Sequence, residues 1–171
     1  MLLGIHRSKL YRKLEHHAGR PHYFDIKGKE YHVVDWSPKL INLKLLKNTE
    51  KVVLENSGAR LIDLGDEVFC LEFNSPNNAI GADILSMITS SIEYVSNKGT
   101  GLVIGNQGKN FCVGANLMAI FMEAQDKEWD EIDLVVRMFQ KAMLTIKYCP
   151  KPVVAAPFNM ALGGGCESGY A

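Results

Sequence analysis

The chain has 171 residues, 47% hydrophobic and 22% charged, a composition that folds into a globule and excludes a disordered polymer. Nineteen Lys and Arg balance nineteen Asp and Glu, so the basic surplus of a dedicated nucleic-acid binder is missing. No apolar run is long enough to span a bilayer, and the opening MLLGIHRSKLYRKL lacks the apolar core and cleavage site of a signal peptide. The four cysteines (Cys70, Cys112, Cys149, Cys166) form no CxxC pair, which predicts reduced thiols in a cytoplasmic protein, with no zinc site and no disulfide scaffold.

The balanced total hides an asymmetry. Residues 1–60 hold twelve Lys and Arg against six Asp and Glu, whereas residues 61–171 hold seven against thirteen. All five histidines lie in the first 32 residues, so a Ser-His or Cys-His pair cannot be built inside the later segment. The composition changes at Asn56-Ser57-Gly58, which sets the expected boundary between an extension over 1–58 and a domain over 59–171. Within the extension, residues 2–17 predict a basic helix. Residues 23–34 alternate around Lys27-Gly28 as a hairpin, Pro38 interrupts, and 40–46 is a short amphipathic stretch. The adjacent rings of His16 and His17 point different ways on a helix, so this segment is assigned no metal site and no chemistry.

The second part has a clearer rhythm. Residues 59–64 and 68–73 read as strands joined through Gly65-Asp66. A helix is expected over 82–95, with Ile84, Leu85, Ile88, Ile92 and Val95 on one side. Residues 101–104 form an apolar strand candidate. A long helix over 130–148 carries Ile132, Val135, Val136, Phe139, Met143 and Ile146 at helical spacing, with an acidic first turn and Lys147 near its end. Pro150 and Pro152 stop it, 152–157 reads as another strand, and Gly163-Gly164-Gly165 opens a new helix. The order is that of an α/β fold.

Two glycine turns carry the chemistry, Phe111-Cys112-Val113-Gly114-Ala115-Asn116-Leu117 and Ala161-Leu162-Gly163-Gly164-Gly165-Cys166-Glu167. Each places small residues where a strand gives way to a helix, so a ligand can approach the peptide N–H groups closely. Two helix starts converging on one point would hold an oxyanion without a charged side chain. Glu167, three residues after Gly164, falls on nearly the same side as that N–H and supplies an acid/base. Taken singly, a glycine turn and a first-turn glutamate are ordinary structural features.

The two motifs in this order resemble the enoyl-CoA hydratase/isomerase (crotonase) superfamily. Residues 151–167 are similar to its main signature, 111–117 to its first oxyanion loop, and 76–80 to the loop after its first hairpin. Residues 61–65 and 103–110 look like the hydratase-like part of certain bacterial 3-hydroxyacyl-CoA dehydrogenases, which follows an NAD-binding region. The resemblance covers about residues 59–171 and implies the crotonase-like ββα spiral fold, its N-terminal part, preceded by an irregular extension that joins to an upstream dehydrogenase region. It implies that Ala115 and Gly164 N–H hold the carbonyl of an acyl-CoA thioester. Glu167 then acts on water during syn hydration of a 2-enoyl-CoA. Ala79 and Ile80 lie where the family's loop approaches CoA, and Gly114, Asn116 and Gly163 flank the two amides. No cofactor is expected in this segment, NAD belonging only to an upstream region. The remaining expectations are a homo-oligomer once complete, an acyl-CoA partner, no nucleic acid and no membrane span.

Asn116 stands where Asp is common in the family, and both residues cap helices. The second glutamate of hydratases, and the C-terminal helices that close the site, would lie beyond Ala171. The chain is therefore expected to be truncated and not to turn over substrate alone. An isomerase or hydrolase of the same fold, and a non-catalytic module binding acyl-CoA or a partner, stay open as alternatives. A phosphate loop is excluded because Cys-Glu follows the glycines, and no GxGxxG provides a dinucleotide site. Gly105-Asn106-Gln107-Gly108 reads as a turn after a strand, not a nucleic-acid clamp.

Overall fold

The computed structural model describes residues 22–25, 27–33, 41–48 and 50–171. The expected basic helix over 2–17 and the interruption at Pro38 lie outside them. Contacts divide the chain into one unit up to Ile41 and another from Asn42 to Ala171.

In the first unit, β1 (His22–Asp25) and β2 (Glu30–Val33) form the predicted antiparallel hairpin. Its turn is tied by Asp25, whose carboxylate accepts the Lys27 and Gly28 N–H groups at 3.0 and 3.1 Å.

The second unit is built on a five-stranded sheet in the order β3-β4-β5-β6-β7. Strands β3 (Val52–Glu55), β4 (Ala59–Gly65) and β5 (Val68–Phe73) form an antiparallel meander. Asp66 and Glu67 both take positive φ in the β4–β5 turn, the conformation that matches strand twist in a two-residue hairpin. Strands β6 (Gly101–Ile104) and β7 (Val153–Ala155) then add in parallel, and parallel pairing requires the crossovers that the helices provide. Helix α2 (Ala82–Lys98) makes the first crossover; α3 (Leu117–Gln125) and α4 (Trp129–Lys147) make the second. Helix α5 (Gly164–Tyr170) follows β7.

The core lies between the sheet and α2. Ile84, Leu85, Ile88, Ile92 and Val95, spaced to share one helix face, pack on Leu61, Leu71, Leu102 and Ile104. Helix α4 covers α2 through Ala142 and Ile146, its two buried positions. The apolar stripe read along this helix is thus only partly used, and Val136 stands 44% exposed. Helix α3 buries none of its residues, leaving Leu117, Met118, Phe121 and Met122 open. Among the described residues no helix is long and apolar enough to cross a membrane.

The composition shift at residues 56–58 does not mark the edge of this unit. It falls in the turn between β3 and β4, where Asn56 Oδ1 accepts the Gly58 and Ala59 N–H groups at 3.0 and 2.9 Å. Residues assigned to the extension therefore belong to the sheet domain. Helix α1 (Leu43–Lys47), capped by Asn42, seats Leu43 on Ile62 and Cys70 across the sheet from α2. The basic surplus of this segment has local partners. Lys51 donates to Asp63 at 2.7 Å and holds its carboxyl below the ordinary range, and Lys47 meets both oxygens of Glu72 at 2.9 Å.

The Glu72 side chain is 7% exposed, and Lys47 is its ion-pair partner. Removing one partner of a buried pair is far costlier than removing both. Lys47→Met is expected to lose about 3 kcal/mol in urea unfolding, and Lys47→Met with Glu72→Leu to recover most of it.

Candidate active site

Strand β6 ends at Ile104, whose carbonyl accepts the Ala156 N–H beyond β7 at 2.9 Å. After the intervening loops the two chains pair again. Phe111 N–H donates to Phe158 O at 3.2 Å, Cys112 N–H to Met160 O at 3.0 Å, and Leu162 N–H to Cys112 O at 3.0 Å. On its other side the first glycine turn pairs with the loop before α2. Ile80 N–H donates to Gly114 O at 2.8 Å and Asn116 N–H to Ile80 O at 2.9 Å.

This parallel bridge uses the Gly114 carbonyl and the Asn116 N–H, and the amide of Ala115 between them has no acceptor among the described residues. Gly164 is the first residue of α5, and its N–H likewise has no acceptor among the described residues. The next three amides are satisfied: Gly165 N–H by Leu162 O, and Cys166 and Glu167 N–H by Gly163 O. The two turns abut. A methyl group on Gly114 would stand 3.0 Å from Leu162 O, and one on Gly163 would stand 3.8 Å from Gly114 Cα. Both residues have positive φ (99° and 47°), a conformation that a side chain disfavours.

Glu167 is exposed and, with Phe139, Gln140, Met143 and Leu144 of α4, lines a cleft of about 330 Å³. Its carboxylate has no ion pair among the described residues. Phe139 forms the floor beside the turn, since a Cβ on Gly164 would lie 2.7 Å from its ring. A free amide, a free carboxylate and an apolar wall therefore share one corner of the domain. The α4 lining was missed in the sequence because Phe139 and Met143 carry the same helical spacing as core residues.

The other residues singled out sort by neighbourhood. Gly114 and Gly163 form the contact between the turns. Asn116 caps α3, its Oδ1 accepting the Ala119 N–H at 3.4 Å. Ile80 is 3% exposed, so it meets the first turn through its backbone while its side chain packs in the core. Ala79 is held one residue earlier, its carbonyl accepting from Ser75 Oγ at 2.8 Å. Cys112 is buried beneath the turns and burial pushes its thiol up; Cys70, deeper in the sheet, is pushed up to about 12 by burial. Among the described residues no cluster of three or more His, Cys, Asp or Glu could hold a metal ion.

A family profile described as "Enoyl-CoA hydratase/isomerase" matches residues 64–171, from the end of β4 through both glycine turns. The chain belongs to the enoyl-CoA hydratase/isomerase family. The Bacillus subtilis (strain 168) protein named "Probable 3-hydroxyacyl-CoA dehydrogenase" is 56% identical over 150 residues, covering 88% of this chain and 19% of that protein. A Rickettsia felis protein, "Putative fatty acid oxidation complex trifunctional enzyme", is 27% identical over 151 residues, 88% of this chain and 20% of its own. This member of the family thus spans about a fifth of the length of these curated relatives. A crystal structure of an enoyl-CoA hydratase from Bacillus anthracis matches with a TM-score of 0.58 at 22% identity, over 66% of this chain and 44% of that one. One from Polaromonas sp. JS666 matches with a TM-score of 0.59 at 23% identity, over 64% and 44%. At such identities the likeness shows the fold, which is the crotonase-like one expected.

Proposed function

We propose that this chain carries the thioester-polarising site of an enoyl-CoA hydratase. In this reading the Ala115 and Gly164 N–H groups donate to the carbonyl oxygen of a 2-enoyl-CoA, and Glu167 handles the water. The observation that carries it is the pair of unpartnered backbone amides on two turns in contact, beside a carboxylate free of ion pairs. Gly164 is buried and Ala115 half-buried. Buried N–H groups are almost always satisfied within a protein, so the open Gly164 amide in particular is available to a ligand.

The chemistry follows from where charge develops. Attack of water at Cβ pushes electrons through the double bond onto the thioester oxygen, giving an enolate. Fixed N–H donors stabilise that anion without reorganising, each worth ~3–4 kcal/mol. Glu167 takes a proton from the attacking water. A proton delivered to Cα by the second acid that the hydratase resemblance implies, which is none of the described residues, completes the syn addition. The cleft along α4 provides apolar surface for the acyl carbons next to the carbonyl. Water and the thioester are the only reactants, so this segment needs no cofactor for the step.

We extend this reading to a wider setting, of which the relatives' names support only the fatty-acid oxidation and the dehydrogenase. The site would work in fatty-acid β-oxidation, in the cytoplasm, within a polypeptide that also carries an NAD-dependent 3-hydroxyacyl-CoA dehydrogenase region. Acyl-CoA would be its partner, nucleic acid would not, and the complete protein would be a homo-oligomer.

The test is vibrational. When a saturated short-chain acyl-CoA binds the intact polypeptide, its thioester carbonyl stretch is expected to move to lower frequency in difference Raman spectra. A bound ligand with the stretch of the free thioester would remove the oxyanion assignment.

A further inference from the structure

Three asparagines meet behind the two glycine turns, and the hydration chemistry makes no direct use of them. Asn110 is the hub, 9% exposed, directly before the buried Phe111. Its backbone carbonyl accepts from Asn78 Nδ2 at 2.9 Å, and its side-chain Oδ1 accepts from Asn159 Nδ2 at 2.9 Å. Asn159 Nδ2 also donates to Lys109 O at 3.0 Å, so both hydrogens of that amide have acceptors in one segment. Asn78 and Asn159 both hold left-handed backbone, with φ of 57° and 53°, which asparagine tolerates better than most residues with a side chain.

These bonds join the two segments that lead to the free amides and the loop that pairs with the first of them. Ala115 lies five residues after Asn110 and Gly164 five residues after Asn159. Asn78 lies two residues before Ile80, which pairs with the Ala115 turn on its far side. The backbone pairs of the site fix each turn to its neighbour. The asparagines fix the starting points of all three segments to a single residue.

We propose that Asn78, Asn110 and Asn159 form a positioning clasp that sets the separation of the Ala115 and Gly164 N–H groups. It rests on the oxyanion reading above and deepens it. The three side chains touch no reacting atom in this arrangement; they act through the turns. Asn159 Nδ2 spans the two turn-bearing segments directly, so losing it lets one amide drift relative to the other. A misplacement of about 1 Å far from the chemistry can lower a rate ~100-fold.

The experiment uses Asn159→Gly and Asn110→Ala in the intact polypeptide. Glycine adopts a φ near that of Asn159 freely, so Asn159→Gly removes the clasp without straining the turn. Asn97→Ala, which removes a bond to Glu93 O on the exposed side of α2, is the control and is expected to leave activity unchanged. Both clasp variants are expected to lower kcat for hydration of a short 2-enoyl-CoA by ~10- to 100-fold, with KM within about twofold. In both, the carbonyl stretch of a bound saturated acyl-CoA moves back toward that of the free thioester. Unchanged kcat and stretch overturn the clasp even if the melting temperature falls, because that pattern belongs to a purely structural role. If Asn110→Ala does not fold, Asn159→Gly decides alone. A wild-type protein that shows no carbonyl shift sinks the oxyanion reading and the clasp with it, whereas a shifted wild type with equally shifted variants sinks only the clasp.

Discussion

In the intact polypeptide, Glu167→Gln is expected to lower kcat for hydration of a 2-enoyl-CoA by ~10³-fold, about 4 kcal/mol, while KM changes by less than about threefold. Glutamine keeps the size and the hydrogen-bonding reach of the side chain but cannot take a proton from water. The substitution isolates the base because Glu167 carries no structural load that the fold depends on. It is exposed, it has no ion pair among the described residues, and its backbone N–H bond to Gly163 O at 3.0 Å is untouched. Unfolding free energy should therefore stay within about 0.5 kcal/mol of wild type. Loss of the conjugated enoyl absorbance gives the rate directly. Activity that survives the exchange would end the assigned role of Glu167.

Gly165→Ala is expected to do the opposite, striking the fold first and the activity as a result. The added Cβ would stand 2.5 Å from Cys112 Cβ, 2.8 Å from its Sγ and 3.1 Å from its carbonyl oxygen. Cys112 cannot yield, since it is fully buried and its N–H and C=O are both paired to the second turn. Overpacking of this kind costs ~1–3 kcal/mol, and here the strain falls between the two turns that present the amides. Denaturant unfolding should show the loss, and hydration should fall with it. Gly169→Ala in the same helix is the contrast: its Cβ would meet Ala155 at an ordinary 3.9 Å, so the better helix former should be neutral or stabilising by up to about 1 kcal/mol. Equal behaviour of the two variants would mean that contact between the turns is not what fixes Gly165.

The sequence made most of this domain legible where one physical signal dominated. The hairpin β4–β5, helix α2 and strand β6 each follow from apolar periodicity cut by glycine or a polar turn, and they stand where that pattern put them. Strand β3 was not read, because its partner is β4 and nothing in Val52–Glu55 announces an edge strand. The boundary was misplaced for a related reason. Charge changes sign near residue 58, but Lys47 on α1 pairs with Glu72 of β5, and Lys51 beside β3 pairs with Asp63 of β4. At the site, small residues and Glu167 stood out as chemistry. Phe139 and the three asparagines did not, since a helix stripe and a polar loop look the same whether they line a site or merely fill space.

The bridge between Cys112 and Ala161 joins residues 49 positions apart, whereas Asp63 and Phe69 in the meander are six apart. Chain entropy favours closing the short loops before the long one. The β3–β5 meander is therefore expected to assemble early and the active-site turns to lock together late, and to reopen locally at lower cost. In native-state hydrogen exchange the Leu162 amide should open well below the global unfolding free energy that governs Leu71. Equal protection at both would mean that the turns and the meander open as one cooperative piece.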